Sequence, residues 1–309
     1  MTKTRLKNKL KKNSELYLLL LPSVVILGIF CYAPMYGVII AFKEYSPFLG
    51  ILGSPWAEMN GFEHFFNFVT SSEFKTVMRN TFVISAVSIV VNTPIPIFLA
   101  LLVNEVRFKR YRQVFQTISY APYFVSVVVL VGMCAAFMKT ESGVVNLFLG
   151  LFKLGPVSYK LHEQWFLPAY VISGVWQGMG WWAIIYIGTL SNVDPALHEA
   201  AKIDGAGRVK RIVHINLPAI IPIATIMFIL SVGNLLSVGF EKVYLMQTDL
   251  NNNSSEVIST YLYKRTFFAR GNKPYSFGAA VGLFNTVINL ILLFGANFIS
   301  RRAGGQSLW

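Results

Sequence analysis

Six stretches of the chain contain no charged residue: 16–42, 81–103, 118–138, 166–190, 219–240 and 277–299, each longer than about 20 residues. At about 1.5 Å of rise per residue, roughly 20 helical residues cross a hydrocarbon core of about 30 Å. Helices are also the only open-ended elements that satisfy their own backbone groups in lipid. The pattern therefore predicts an all-α membrane protein with six transmembrane helices. Composition agrees, with 54% hydrophobic and 13% charged residues, against roughly 25% charged in a soluble domain.

The prolines inside these runs (Pro22, Pro34, Pro94, Pro96, Pro122 and Pro168) predict kinks, tolerated in a bundle where neighbours and hydroxyls re-satisfy the freed carbonyls. Glycines and serines such as Gly174, Gly178, Gly180, Gly188, Gly233, Ser237 and Gly239 allow helices to approach closely. Orientation follows from lysine and arginine. Segments 1–15, 104–117, 191–218 and 300–309 hold 16 of them in 67 residues, whereas 43–80, 139–165 and 241–276 hold 11 in 101. The positive-inside rule then puts both termini in the cytoplasm. The net charge of +13 is a consequence of topology and needs no nucleic acid. The basic run Lys3, Arg5, Lys7, Lys9, Lys11 and Lys12 precedes an apolar stretch too long for a signal peptide, and it predicts an uncleaved first helix. The expected organisation is a basic cytoplasmic N-terminus over 1–15, a six-helix domain over 16–299 with a cytoplasmic loop at 194–222, and a cytoplasmic tail over 300–309.

Cys31 and Cys134 lie in apolar runs without neighbouring ligands, and His64, His162, His198 and His214 are scattered, so neither a disulfide framework nor a metal site is indicated. The six spans contain no Asp, Glu, His, Lys or Arg, which argues against an intramembrane enzyme.

The loop between the fourth and fifth spans reads DPALHEAAKIDGAGRVKRIVHINLPAIIP from Asp194. Asp194 suits an N-cap, Pro195 the first helical position, and Glu199 the positive end of the helix. Gly205 and Gly207 stop or bend the chain. A short amphipathic helix follows, with Val209, Ile212 and Val213 on one face. Glu199, Ala200, Ala201, Asp204, Gly205, Ala206, Ile215, Leu217 and Pro218 stand at the spacing EAA-x2-DGA and EAA-x3-G-x9-I-x-L-P. In this the loop resembles the EAA motif of permease subunits of ATP-binding-cassette (ABC) importers, in the form seen in sugar importers. Arg79-Asn80-Thr81, the run from Gly239 to Leu245, the run from Tyr275 to Phe284 and the ending Ser307-Leu308-Trp309 extend the likeness over nearly the whole chain. They are most similar to multiple-sugar permeases of the polysaccharide, aldouronate and alginate-oligosaccharide branch.

The resemblance implies a type I importer permease in a bacterial inner or plasma membrane, with a coupling helix of about Pro195 to Asp204 docked on an ATPase. The implied partners are a second, homologous permease, two ABC ATPase subunits, an extracellular or periplasmic solute-binding protein, a sugar or oligosaccharide, and membrane lipid. The chain has no GxxxxGK[ST] phosphate loop and no large soluble segment, so it is expected to bind no cofactor itself, ATP and magnesium being used by the ATPase subunits. An importer of amino acids or phosphate is the alternative. The expected pathway residues are Trp176, Gln177, Trp181 and Asn234, since aromatic faces and amides are what sugars need. Interfacial belts and helix-bridging amides place the same residue types in the same segments. Glu241 and Lys242 mark the outer edge of the fifth helix, and the loop 247–275 with Asn251 to Asn253, Lys264, Arg265, Arg270 and Lys273 is the expected receiver of the binding protein.

Overall fold

A computed structural model describes residues 13–268 and 274–309; the basic N-terminal run, Arg270 and Lys273 lie outside the described residues. Most of these residues are helical, with one isolated antiparallel bridge, Lys43 to Trp56, and no strand among them. Two compact units are formed, residues 13–69 with 274–283 and residues 70–268 with 284–309.

In the first unit, α1 (Ser14–Phe42) is long and apolar enough to cross a membrane. Its leucines face outward, Leu19 being 76% exposed. A π-helical turn, Gly28–Tyr32, stands just before Pro34, where the missing proline N–H disrupts the regular ladder. Beyond Phe42 the chain folds back. Lys43 Nζ donates to the carbonyls of Ile51 and Leu52 at 2.8 and 3.1 Å. Gly61, at φ +91°, lies where a Cβ would meet the Phe42 carbonyl at 3.0 Å. Phe42 packs on Phe62 and on Phe65 of α2 (Glu63–Val69), and the Tyr45 amide donates to Ser276 Oγ.

The second unit comprises α3 (Phe74–Asn104), α4 (Lys109–Phe124), α5 (Val127–Phe137), α6 (Val144–Leu151), α7 (Phe166–Ser191), α8 (Pro195–Ile203), α9 (Arg208–Gly233), α10 (Phe240–Met246) and α11 (Ile258–Phe267). The greater part of α12 (Pro274–Arg302) completes it. Its centre is α7. Phe166 and Ala169 join one buried cluster with Ile84, Val243 and Met246, while Ala183, Tyr186 and Leu190 join another with Leu99, Val103 and Ile220. Lipid supplies no hydrophobic drive between helices, so close approach does the packing. At Gly180 the main chain of Ser119 occupies the space where a side chain would begin.

Two expected spans differ from the sequence reading. The run 118–138 is not one helix: α4 and α5 meet at 96°. The missing N–H of Pro122 and the 3-10 turn Ala121–Phe124 end α4, and Ser126 starts α5 by accepting from the Val129 amide. The run 219–240 also divides. α9 ends at Gly233, leaving 234–239 irregular before α10. At its other end, α9 begins at Arg208, so the expected amphipathic loop helix runs into the membrane helix through a π turn, Ile212–Asn216. Among the described residues, α1, α3, α9 and 275–302 are long and apolar enough to cross a membrane, and α4 with α5 makes a fifth if the bent pair is one span. The 26-residue α7 is uncharged, but its Trp, Tyr, Gly, Ser and Gln residues dilute its hydropathy.

Candidate functional site

The EAA-like residues build a helix with a defined start and stop. Asp194 Oδ1 accepts from the Ala196 amide at 2.9 Å, and Pro195 fills the first position of α8, where no N–H is missed. At the other end the Ala206 amide bonds the Ala201 carbonyl at 2.8 Å and the Gly205 amide bonds that of Lys202 at 3.1 Å. Gly205 lies at φ +76°. This is a Schellman stop, which needs a residue that accepts the left-handed conformation four positions after the carbonyl that is capped. The spacing from Ala201 through Gly205 to Ala206 is thus that of the stop itself. Gly207 then opens α9.

The helix is uncovered in the isolated chain. Leu197 is 54% and Ile203 87% exposed, and Glu199 and Ala200 are exposed while Ala201 and Ala206 are half-buried. Ile215 and Leu217 are half-buried and Pro218 is exposed. Between them Asn216 is fully buried, and neither polar atom of its amide has a partner among the described residues.

The four expected pathway residues fall into three places. Gln177 Nε2 donates to the Val125 carbonyl at 2.8 Å, satisfying the main chain where α4 gives way to α5. With Gly174, Gly178, Trp182 and the run Tyr123–Val127, Gln177 lines a cavity of about 540 Å³. Trp181 stacks on Tyr123 at 4.4 Å and 4°, so its ring is committed to the same bend. Trp176 lies instead on a separate apolar groove of about 940 Å³ with Leu130, Met133 and Ile172. Asn234 caps the end of α9 through the Leu230 carbonyl, outside the helix to which the sequence assigned it. It lines a small polar cavity of about 160 Å³ with Ser85, Ser88, Ser231 and Ser237.

Irregular backbone at membrane depth is tolerated where it lines a cavity or finds internal partners, and 234–239 does both. The Leu236 amide donates to Asn289 Oδ1 and Asn289 Nδ2 donates to Ser237 Oγ, each at 2.9 Å. Asn289 was missed in the sequence, although an amide inside an apolar run is a signal of such a role. Lys242 was read as an edge marker. Its ammonium instead reaches inward, donates to the Tyr170 carbonyl at 2.8 Å and stands 4.5 Å from the centre of the Tyr170 ring.

The flanking motifs are structural pins. Asn80 Nδ2 donates to the Asn253 and Glu256 carbonyls, and Thr81 Oγ1 accepts from the Ile258 amide. Together they fix the segment before α11 onto α3. Lys264 pairs with Glu256 at 3.0 Å and Arg265 approaches Glu73 at 3.9 Å. At the carboxyl end, the Leu308 amide donates to Asn297 Oδ1 and Trp309 packs edge-on to Phe294.

A family model described as "Binding-protein-dependent transport system inner membrane component" matches residues 92–305. The chain is 38% identical to the polygalacturonan/rhamnogalacturonan transport system permease protein YteP of Bacillus subtilis, over 99% of this chain and 93% of that one. It is 39% identical to protein LplB of the same organism, over 97% and 92%. Among solved structures it resembles a chain of a bacterial ABC transporter that imports the acidic polysaccharide alginate (TM-score 0.84, 36% identity, 96% of this chain and 99% of that one). A second likeness is to the bacterial alginate transporter in complex with an alginate pentasaccharide-bound periplasmic protein (TM-score 0.85, 35% identity, 98% and 100%). On the extent of these matches, the chain belongs to the family of inner-membrane components of binding-protein-dependent transport systems.

Proposed function

We propose that this chain is the permease subunit of an ATP-driven, binding-protein-dependent importer of oligosaccharides, a transport subunit and not an enzyme. The observation that carries the reading is the exposed, sharply terminated helix α8 within a chain whose relatives are sugar permeases. An uncovered helix presenting Leu197, Ile203 and the Glu199 carboxylate suits a cleft on an ATPase subunit, where apolar contact anchors and a charge-assisted hydrogen bond orients. Glu199, Ala200, Ala201, Asp204, Gly205 and Ala206 form that docking element, and Ile215, Leu217 and Pro218 carry its movement into α9.

In this reading six spans cross a bacterial inner membrane with both termini in the cytoplasm. α7 counts as a span despite its diluted hydropathy, because it is uncharged and about 39 Å long at about 1.5 Å per residue. A second, homologous permease completes the pathway, two ATPase subunits hydrolyse ATP with magnesium, and a solute-binding protein delivers the sugar outside. Nucleotide-driven closure of the ATPases biases the pair between inward-open and outward-open states. The substrates of the relatives, polygalacturonan and alginate, favour an oligosaccharide over an amino acid or phosphate.

The test is ATP hydrolysis by the reconstituted complex. Oligosaccharide-loaded binding protein is expected to stimulate it several-fold. Stimulation by amino acids or phosphate instead would overturn the substrate reading.

A further inference from the structure

Lys242 stands in an unusual place for an ammonium. α10 carries it from the irregular segment 234–239 back against α7, where Nζ holds the Tyr170 carbonyl and lies over the Tyr170 ring. One helical turn further along α7, Gly174 leaves room for the ammonium, since a Cβ there would lie 3.2 Å from Nζ. Gly174 lines the cavity shared with Gln177 and Trp182, and Tyr170 lines the polar one shared with Asn234 and Ser237. The ammonium thus lies against Tyr170, which borders the smaller cavity, and beside Gly174, which borders the larger.

No carboxylate lies within ion-pairing distance of it among the described residues; the ion pairs they contain join Lys264 to Glu256 and Arg265 to Glu73. The neighbouring Glu241 side chain is exposed. A partly desolvated cation without a counter-ion is costly to keep at a membrane site and marks a place where an anion completes the charge. A carbonyl and an aromatic face hold the lysine in position while leaving two of its three N–H donors for a ligand.

We propose that Lys242 is a specificity-determining residue of the pathway, reading the carboxylate of an acidic, uronate-containing oligosaccharide beside the two cavities. The proposal rests on the oligosaccharide-importer reading above and adds the class of sugar. Gln177, Asn234 and the neighbouring serines supply the neutral hydrogen bonds that sugar hydroxyls need, and Lys242 supplies the charge.

The experiment compares trigalacturonate with its methyl ester in the reconstituted complex, each at a concentration that saturates the binding protein. Lys242→Gln retains a hydrogen-bonding group without the charge, and Lys242→Met retains the length and the packing over Tyr170; whichever variant assembles carries the test. Uptake of the acid is expected to fall at least about tenfold while uptake of the ester changes less than about twofold, and Lys242→Arg is expected to keep the acid preference. An equal fall for both sugars would show that Lys242 only ties α10 to α7, and no fall for either would remove it from the pathway; both results overturn the proposal. If neither sugar stimulates the wild-type complex, the oligosaccharide reading itself has failed, an outcome distinct from a charge-blind importer.

Discussion

At the scale of single residues, polar side chains in apolar surroundings mend broken backbone. Gln177 caps the Val125 carbonyl and Asn289 serves both the Leu236 amide and the Ser237 hydroxyl. Removing one partner of a hydrogen bond leaves the other to find a new one, and at these part-buried and exposed positions the cost is expected at the low end of about 1–3 kcal/mol. Asn289→Ala is therefore expected to lower the melting temperature of the purified complex and to weaken transport, and a thermal unfolding curve in detergent checks the first. An unchanged curve would mean that water replaces the amide. Gln177 and Asn234 were legible as candidates because amides are conspicuous in apolar runs. Their partners were not, since Val125 lies 52 residues from Gln177 and Lys242 reaches a carbonyl 72 residues away. A sequence displays the type of a side chain but not the neighbour that folding brings to it.

At the scale of elements, α8 was the most legible part of the chain. Its cap, its first-turn proline and its glycine stop are local chemistry, and the structure adds that the EAA-to-DGA spacing is the spacing of a Schellman stop. An L-residue with a Cβ at the Gly205 position costs about 1–2 kcal/mol in the left-handed conformation. Glu199→Ala combined with Gly205→Asp is expected to reduce binding-protein-stimulated ATP hydrolysis at least about tenfold while the complex still assembles. Retained stimulation would exclude α8 from coupling. Pro122 announced a kink in 118–138 but not a 96° break, and the break at 234–239 was illegible, because hydropathy reports which residues tolerate lipid, not whether the backbone through them is continuous. An apolar run such as 219–240 reads the same whether it is one helix or a helix, an irregular stretch and a turn.

At the scale of the whole molecule, the charge-free runs mark the chain as membrane-embedded, and α7 organises its larger unit by joining both buried clusters. In the proposed reading it is half of a path driven by separate ATPase subunits, with the uncovered α8 as the docking element. The most direct test is uptake of a labelled uronate oligosaccharide into proteoliposomes, with this chain reconstituted alone or with its second permease and ATPases. Accumulation is expected only with the complete complex, ATP on the ATPase side and loaded binding protein on the other. Flux down a gradient through this chain alone, without nucleotide, would contradict the account.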